Sequence, residues 1–286
     1  MKKIYLYALL CLSFTQLKAQ DGVVFKVKYL PNHNYQASIK VGVKLNLTIA
    51  GDSSILSKLS SMGITQPVQA DAELGMGGNM KTGAMESDKS FPLNIDYKIN
   101  NISVSASGKQ LPIPPKVTEM DIKVTAHVGQ DGKFKIDSAM GKKIVDTTEK
   151  QMKQMKQMMD LVQKQIQFPD KPMKPGDSFT QGMPMNIPIS AGNNMQMNAG
   201  VTYKLVSISD GKAYFDMVPN FSMDFKMKEV SVSFSGTGTG KMVYSIKDNF
   251  PLSKEGTVNM VIKVNAGKVN VDGTAVITSN YTGTIN

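Results

Sequence analysis

The sequence contains no arginine and no tryptophan, and it has only two histidines, His33 and His127. All 33 of its basic residues are therefore lysines. Arginine is the usual bidentate partner of guanine and phosphate, and basic residues interleaved with aromatic ones mark single-strand binders. The composition thus argues against nucleic acid as a partner. Neither histidine has a neighbour at metal-ligand spacing, and we expect no metal site, no cofactor and no enzymatic activity.

The one cysteine, Cys11, lies inside a segment that has the pattern of a secretory signal peptide, residues 1–19. Met1-Lys2-Lys3 is positively charged, residues 4–14 are apolar, and Leu17-Lys18-Ala19 ends on a small residue, which suits cleavage before residue 20. Cys11 is interpreted as part of the removed peptide rather than as a lipid attachment site. The mature chain would then have no disulfide and no thiol chemistry.

No apolar run in the sequence is long enough to cross a bilayer as a helix, which takes about 20 residues. We therefore expect no transmembrane segment. Together with the signal peptide, this predicts an exported protein that is periplasmic or associated with the outer envelope.

Alternation of apolar and polar residues dominates the mature chain and is typical of half-buried β-strands. It is clearest where Phe221, Met223, Phe225 and Met227 are separated by polar residues. Asp131-Gly132, Asp210-Gly211 and Ala266-Gly267 lie between such segments and predict hairpin turns. The pattern indicates a mainly β protein of long antiparallel strands in a curved sheet or half-open barrel.

The segment 144–167 departs from this alternation and predicts one long amphipathic helix packed across the sheet. Its apolar stripe recurs at spacings of four and three and consists of Ile144, Thr148, Met152, Met155, Met159, Val162 and Ile166. Pro169 follows as a stop signal. Residues 20–286 are expected to form a single β-rich domain, with this helix joining two halves of similar size.

Three further segments carry local signals. Residues 53–61 have helical character, with Asp52 as the cap, whereas the glycine-rich residues 71–90 and the proline-rich residues 111–115 are predicted to be loops. The run from Gly236 to Lys241 is similar to a phosphate-binding loop but lacks its first glycine and its final Ser or Thr. We predict a glycine-rich bend within a strand there instead.

Methionine is abundant, with 21 residues in the chain. Thioethers bind Cu(I), but copper sites usually add His or Cys, and methionine at helical spacing is normally core filler. The interpretation we favour is that flexible methionines line an adaptable apolar surface. The expected ligand-lining residues are Met152, Met155, Met159, Val162 and Ile166.

Two segments carry a resemblance to a known family. Residues 168–179, which end in Pro175-Gly176-Asp177-Ser178-Phe179, and residues 236–244 resemble an uncharacterised exported family of Bacteroidota, domain of unknown function 6263. Phe179 stands where members of that family usually carry tryptophan. More loosely, a curved sheet with a crossing helix is similar to the half-barrels of the lipoprotein carriers LolA and LppX. The resemblance implies an extracytoplasmic β protein and does not fix its function.

These observations predict a non-enzymatic envelope protein that binds a lipid or another hydrophobic ligand between sheet and helix. The alternative is a structural or protein-interaction module with a filled core and no small ligand, in which the predicted loops carry the function. The expected partner is accordingly a hydrophobic ligand or another envelope protein.

Overall fold

The computed structural model describes residues 22–61, 63, 65–113, 121–141, 166–190, 193–227 and 229–286. Within these residues the protein is mainly β, as predicted. One short helix, α1 (Ser53–Ser61), follows the first strand. The strands are β1 (Asn34–Gly51), β2 (Val68–Thr82), β3 (Phe91–Ala106), β4 (Lys109–Gln110), β5 (Asp121–Val128), β6 (Phe134–Gly141), β7 (Ser178–Ser190), β8 (Asn193–Ser209), β9 (Lys212–Met227), β10 (Val230–Ser245), β11 (Phe250–Ala266) and β12 (Val269–Ile285).

All twelve strands belong to one open antiparallel sheet, in the order β6-β5-β3-β2-β1-β12-β11-β10-β9-β8-β7, with the short β4 paired to β3. Two meanders thus lie side by side. They join where β1 pairs with β12, from Tyr35 opposite Ile285 to Gly51 opposite Val269. Most neighbouring strands are consecutive in sequence and are joined by short connections. This is the arrangement that long alternating segments separated by turn signals predict.

Alternation along the strands divides the sheet into two faces. On β1, Tyr35 is buried and the next residue, Gln36, is exposed. On β12, Ala275 is buried between the exposed Thr274 and Val276. We call the face that carries Tyr35 and Ala275 the apolar face, and the opposite one the polar face. The register of each pair carries this division from strand to strand, since a slip of one residue would exchange the faces.

The core lies on the apolar face at the packed end, which is the end where β1 begins and β12 ends. Its first cluster of buried residues comprises Tyr35, Met80, Phe91, Leu93, Ile95, Val124, Ala126, Val128 and Phe250. Its second comprises Phe25, Ile166, Met173, Tyr203, Leu205, Ala213, Phe215, Met242 and Tyr244. The opposite end, where β1 ends and β12 begins, is called the distal end.

The N-terminal segment, residues 22–33, connects these two clusters. The Phe25 ring lies 5.3 Å from that of Phe215 and 5.4 Å from that of Tyr244 in edge-on geometry. Four residues further on, the Tyr29 ring lies 5.2 Å from that of Tyr35 and 5.4 Å from that of Phe250. Edge-to-face aromatic pairs at these distances are favourable beyond the area they bury. The segment therefore closes the packed end with aromatic side chains.

Hydrogen bonds fix the backbone of the N-terminal segment as it crosses the packed end. Val23 exchanges backbone hydrogen bonds of 2.9 Å with Met173 in both directions. The Leu30 amide donates to the Tyr35 hydroxyl at 2.7 Å, and the Tyr244 hydroxyl donates to the Lys26 carbonyl. Since unpaired backbone groups are costly to bury, these bonds allow the segment to pack against the core although it is not a strand of the sheet.

The predicted turns and the short helix are confirmed. Asp210 and Gly211 join β8 to β9, and both have the positive φ that a tight hairpin requires, 50° and 69°. The Asp52 carboxylate accepts a hydrogen bond of 3.0 Å from the Ser54 amide at the start of α1, which is N-terminal capping. The glycines from Gly236 to Gly240 continue β10 as a strand, as the sequence indicated.

The prediction of a loop over 71–90 is wrong for most of that range, because β2 continues to Thr82. Its glycines are needed for close approach of side chains and not for a turn. A Cβ on Gly78 would lie 2.1 Å from the Tyr97 ring, and one on Gly77 would lie 2.5 Å from the Asn100 side-chain nitrogen. Glycine inside a strand often marks such an approach.

The long helix predicted over 144–167 lies almost entirely outside the described residues. Only its last two positions, Ile166 and Gln167, are described, and neither is helical. Of the described elements, α1 is the one helix, and it is short. A long amphipathic helix across the sheet is therefore not part of the described fold. Of the predicted proline-rich loop, residues 111–113 are described and have no regular structure.

Replacement of Phe25 tests how far the packed end depends on the N-terminal segment. Phe25 is 2% exposed and touches three aromatic rings, so Phe25→Ala should reduce the free energy of unfolding by about 3–5 kcal/mol. Its neighbour Val24 is 42% exposed, and Val24→Ala should change stability by less than about 0.5 kcal/mol. Urea unfolding of both variants measures the difference, and equal stabilities would contradict this description of the packed end.

Candidate functional site: the apolar face of the sheet

The apolar face continues well beyond the packed end towards the distal end. Cross-strand register places its side chains in rows across β1, β12 and β11. Three of these rows are Val43, Ile277 and Val258; Leu45, Ala275 and Met260; and Ile49, Val271 and Val264. On β10 and β9 the same face carries Phe234 opposite Met223, and Val232 opposite Phe225. The distal half of the face is thus as apolar as the core at the packed end.

Side chains on this distal half are less exposed than their polar-face neighbours. Met223, Ile262 and Ala275 are buried, although they belong to neither cluster at the packed end. Val261, which precedes Ile262 and points to the polar face, is 47% exposed. No helix or strand of the described chain packs across this part of the apolar face, since the described strands contact their neighbours within the sheet. The distal half is therefore an apolar surface on which no described helix or strand packs.

The residues predicted to line a ligand site fall in two places. Met152, Met155, Met159 and Val162 lie outside the described residues. Ile166 is described and is 7% exposed, in the second cluster of the packed end. The structure places Ile166 beside core residues rather than on the distal half of the apolar face.

Lys254 on β11 is a charged residue on the apolar face. It lies directly opposite Tyr281 on β12 in the sheet register, and its Nζ is 5.9 Å from the centroid of the Tyr281 ring. No carboxylate of the described residues lies within 4.0 Å of this ammonium group. Burial among apolar side chains lowers the pKa of Lys254 from 10.5 to about 8, because desolvation disfavours the charged form.

The surface next to Lys254, towards the distal end, is formed by small residues. Gly240, Gly256 and Ser279 occupy one row across β10, β11 and β12. A Cβ placed on Gly256 would have its nearest neighbours at 3.4 Å, the Thr239 carbonyl oxygen, and 3.7 Å, the Ser279 Oγ. These are ordinary contact distances, whereas a Cβ on Gly240 would lie only 2.9 Å from Met217 Cε. Gly256 is therefore the residue of this row that leaves room for further atoms next to Lys254 in the sheet register.

A groove of about 1000 Å³ on the polar face is the competing location. Its floor includes a row in which Lys40, Asn280, Glu255, Lys241 and Asp216 lie opposite one another in turn. Opposite charges alternate on the neighbouring strands β11, β10 and β9, which favours pairing within the sheet. The charges of this row compensate each other and leave no excess of one sign for a ligand, which is typical of a solvated sheet face.

His127 is held between two carboxylates at the edge of the polar face. Its Nδ1 lies 2.6 Å from Asp137 Oδ2 on β6, and its Nε2 lies 3.5 Å from Glu86 Oε1. The hydrogen bond with Asp137 raises the pKa of His127, and the charge of Glu86 acts in the same direction. Sequence spacing could not reveal this arrangement, because Glu86 and Asp137 are 51 positions apart. Within the described residues, no three His, Cys, Asp or Glu residues are grouped to hold a metal ion.

The sequence was compared with known protein families and with curated proteins. No known protein-family model matches the chain, and no curated protein matches it either. No helix of the described chain is long and apolar enough to cross a membrane. The assignment to the exported Bacteroidota family stays a prediction from the two segments that carry the resemblance.

Lys254 is the residue that sequence reasoning missed, although the signal was present. Along β11, Val258, Met260 and Ile262 share its parity and form an apolar stripe. A lysine at a position of that parity is predicted to lie on the apolar face. The general rule that lysines mark the solvated face holds for Lys40 and Lys44, which are exposed, and fails for Lys254.

Removal of the Lys254 charge should stabilise the protein. Lys254→Met fills a similar space without the desolvation cost and should raise the free energy of unfolding at pH 7 by about 1–3 kcal/mol. Unfolded lysine titrates near 10.5, whereas the folded group titrates near 8, so the cost is fully present below pH 8. The stability advantage of Lys254→Met should therefore shrink as the pH rises from about 8 to about 10. Chemical denaturation at pH 7 and pH 10 measures it, and equal stability at pH 7 would contradict the assignment of a desolvated charge.

Proposed function

We propose that the protein is a non-enzymatic component of the cell envelope that binds a lipid or another hydrophobic ligand on the apolar face of its sheet. In this proposal the sheet curves as a half-open barrel. The segment 144–167 forms the amphipathic helix that its periodicity predicts, and the ligand lies between the two. The chain is exported by the signal peptide predicted at residues 1–19.

The observation that carries the proposal is the extent of the apolar face. Rows of Val, Ile, Leu, Met and Phe continue past the packed end, and no described element packs on their distal half. The side chains of these rows are buried or half-buried, and burial of apolar surface stabilises by about 25 cal/mol per Å². A surface of this kind favours a hydrophobic occupant.

A catalytic role for His127 and its carboxylate neighbours receives less support. His127 interacts with Asp137 and Glu86, and both of its ring nitrogens face carboxylates rather than a hydroxyl nucleophile. This arrangement suits a structural contact that holds the β2–β3 connection against β6. It offers no base for a nucleophile in the way that a catalytic triad does.

The second candidate is a structural or interaction module in which chain segments fill the space over the sheet. Ile166 favours this candidate, because the end of the segment 144–167 packs into the second cluster beside Phe25 and Met173. In that case the apolar face would be an ordinary core and would take no ligand.

Two neighbouring residues on β12 allow a matched test of the proposal. Ile277 lies on the apolar face opposite Val43 and Val258, whereas Val276 is 37% exposed on the polar face. Wild-type protein should retain lipid in native mass spectrometry and should bind the apolar probe N-phenyl-1-naphthylamine. Ile277→Asp should weaken probe binding by about tenfold or more, which corresponds to about 1.4 kcal/mol, because a charge is placed on the binding surface. Val276→Asp should bind the probe as wild type does.

Thermal unfolding of the same three proteins separates the two candidates. Under the proposed function, Ile277→Asp remains folded and loses the probe. Under the filled-core candidate, wild-type protein binds neither lipid nor probe, and Ile277→Asp unfolds because a buried charge has no partner. Absence of lipid and probe binding in the wild type would overturn the proposed function.

A further inference from the structure

Lys254 stands at the boundary between the packed end and the distal half of the apolar face. In its own row, its neighbours are Tyr281 on β12 and Met242 on β10, and Met242 belongs to the second core cluster. The next row towards the distal end holds the small residues Gly240, Gly256 and Ser279 and is followed by the apolar rows. An ammonium group at this point can reach a ligand that lies along the face.

The surroundings of Lys254 stabilise its charge only weakly. The face of the Tyr281 ring is the one favourable contact that the described residues give it, at 5.9 Å from the centroid, near the outer limit for a cation–π interaction. Lysines placed against apolar surroundings usually direct the ammonium to water or pair it with a carboxylate. Lys254 is half-buried and has no carboxylate partner among the described residues. Within the described part of the chain, the ammonium group thus has no anionic partner.

We propose that Lys254 binds the carboxylate of a long-chain fatty acid whose acyl chain lies along the apolar face towards the distal end. This inference rests on the proposed function and names the chemical class of its ligand. The carboxylate occupies the space over Gly256, where the Ser279 hydroxyl lies on the same face and can donate a further hydrogen bond. The acyl chain follows the apolar rows beyond this point.

The dimensions and the charge fit a fatty acid. From Lys254 to Val264 the strand advances ten residues, about 33 Å at 3.3 Å per residue, which exceeds the length of an extended long-chain fatty acid. The single charge of Lys254 matches the single charge of a carboxylate, and a charge-assisted hydrogen bond of this kind is about twice as strong as a neutral one. A neutral lipid of the same length leaves the ammonium group without a partner.

The test compares two ligands that differ only in the head group. Oleate and oleyl alcohol are titrated at pH 7 against wild-type protein, Lys254→Met and Lys241→Met by displacement of the apolar probe. Lys241 lies on the neighbouring strand β10 on the polar face, so its replacement removes the same charge from the opposite side of the sheet. Wild type and Lys241→Met should bind oleate at least about tenfold more tightly than oleyl alcohol. Lys254→Met should bind the two ligands equally.

Gly256→Leu provides a second variant that keeps the lysine. The contacts at Gly256 allow a side chain there, and the leucine would occupy the space assigned to the carboxylate. Oleate affinity should fall while Lys254 remains in place. Circular dichroism confirms that each variant is folded before titration.

The outcomes distinguish this inference from the proposed function. Equal binding of oleate and oleyl alcohol by wild type would overturn the inference and leave the proposed function intact. The inference would also be overturned if Lys241→Met lost its preference for oleate as Lys254→Met does, because the preference would then depend on the net charge of the protein. The proposed function would again remain intact. Failure of wild type to bind either ligand would overturn both.

Discussion

The fold depends on the pairing of β1 with β12. This ladder runs from Tyr35 opposite Ile285 to Gly51 opposite Val269 and joins two meanders that are otherwise connected through residues 142–177. Contacts between residues so distant in sequence are costly in chain entropy, and an antiparallel ladder of this length offsets that cost with many hydrogen bonds and same-face side-chain contacts. Without it, neither meander would place its apolar side chains next to those of the other.

The register of that pair also determines what each face presents. A slip of one residue would turn Val43, Leu45 and Ile49 to the polar face and would separate them from Ile277, Ala275 and Val271. With the observed register, one face carries the apolar rows and the other carries the row of compensated charges from Lys40 to Asp216. Lys254 is the exception on the apolar face, and its position beside Tyr281 follows from the pairing of β11 with β12. The candidate site is thus a consequence of strand register.

Much of the fold could be predicted from the sequence, because alternation and turn signals are local. The hairpin at Asp210-Gly211 and the helix capped by Asp52 are of this kind. The strand through Gly75, Gly77 and Gly78 was not predicted, since local propensity favours a loop and the packing of Tyr97 over Gly78 is a tertiary contact. The contacts of His127 with Glu86 and Asp137 join three segments, and no sequence pattern indicates them. The placement of Lys254 was predictable from parity, whereas only the structure shows that no described carboxylate pairs with it.

The central claim is that the apolar face, and not the polar one, receives an acyl chain. Because the chain has no tryptophan, a single introduced tryptophan reports on one position. Val258 lies on the apolar face, and its neighbour Asn259 is exposed on the polar face. If the claim is correct, brominated stearate will quench the fluorescence of Val258→Trp at concentrations that leave Asn259→Trp unchanged. Equal quenching of both variants, or none of either, would contradict it.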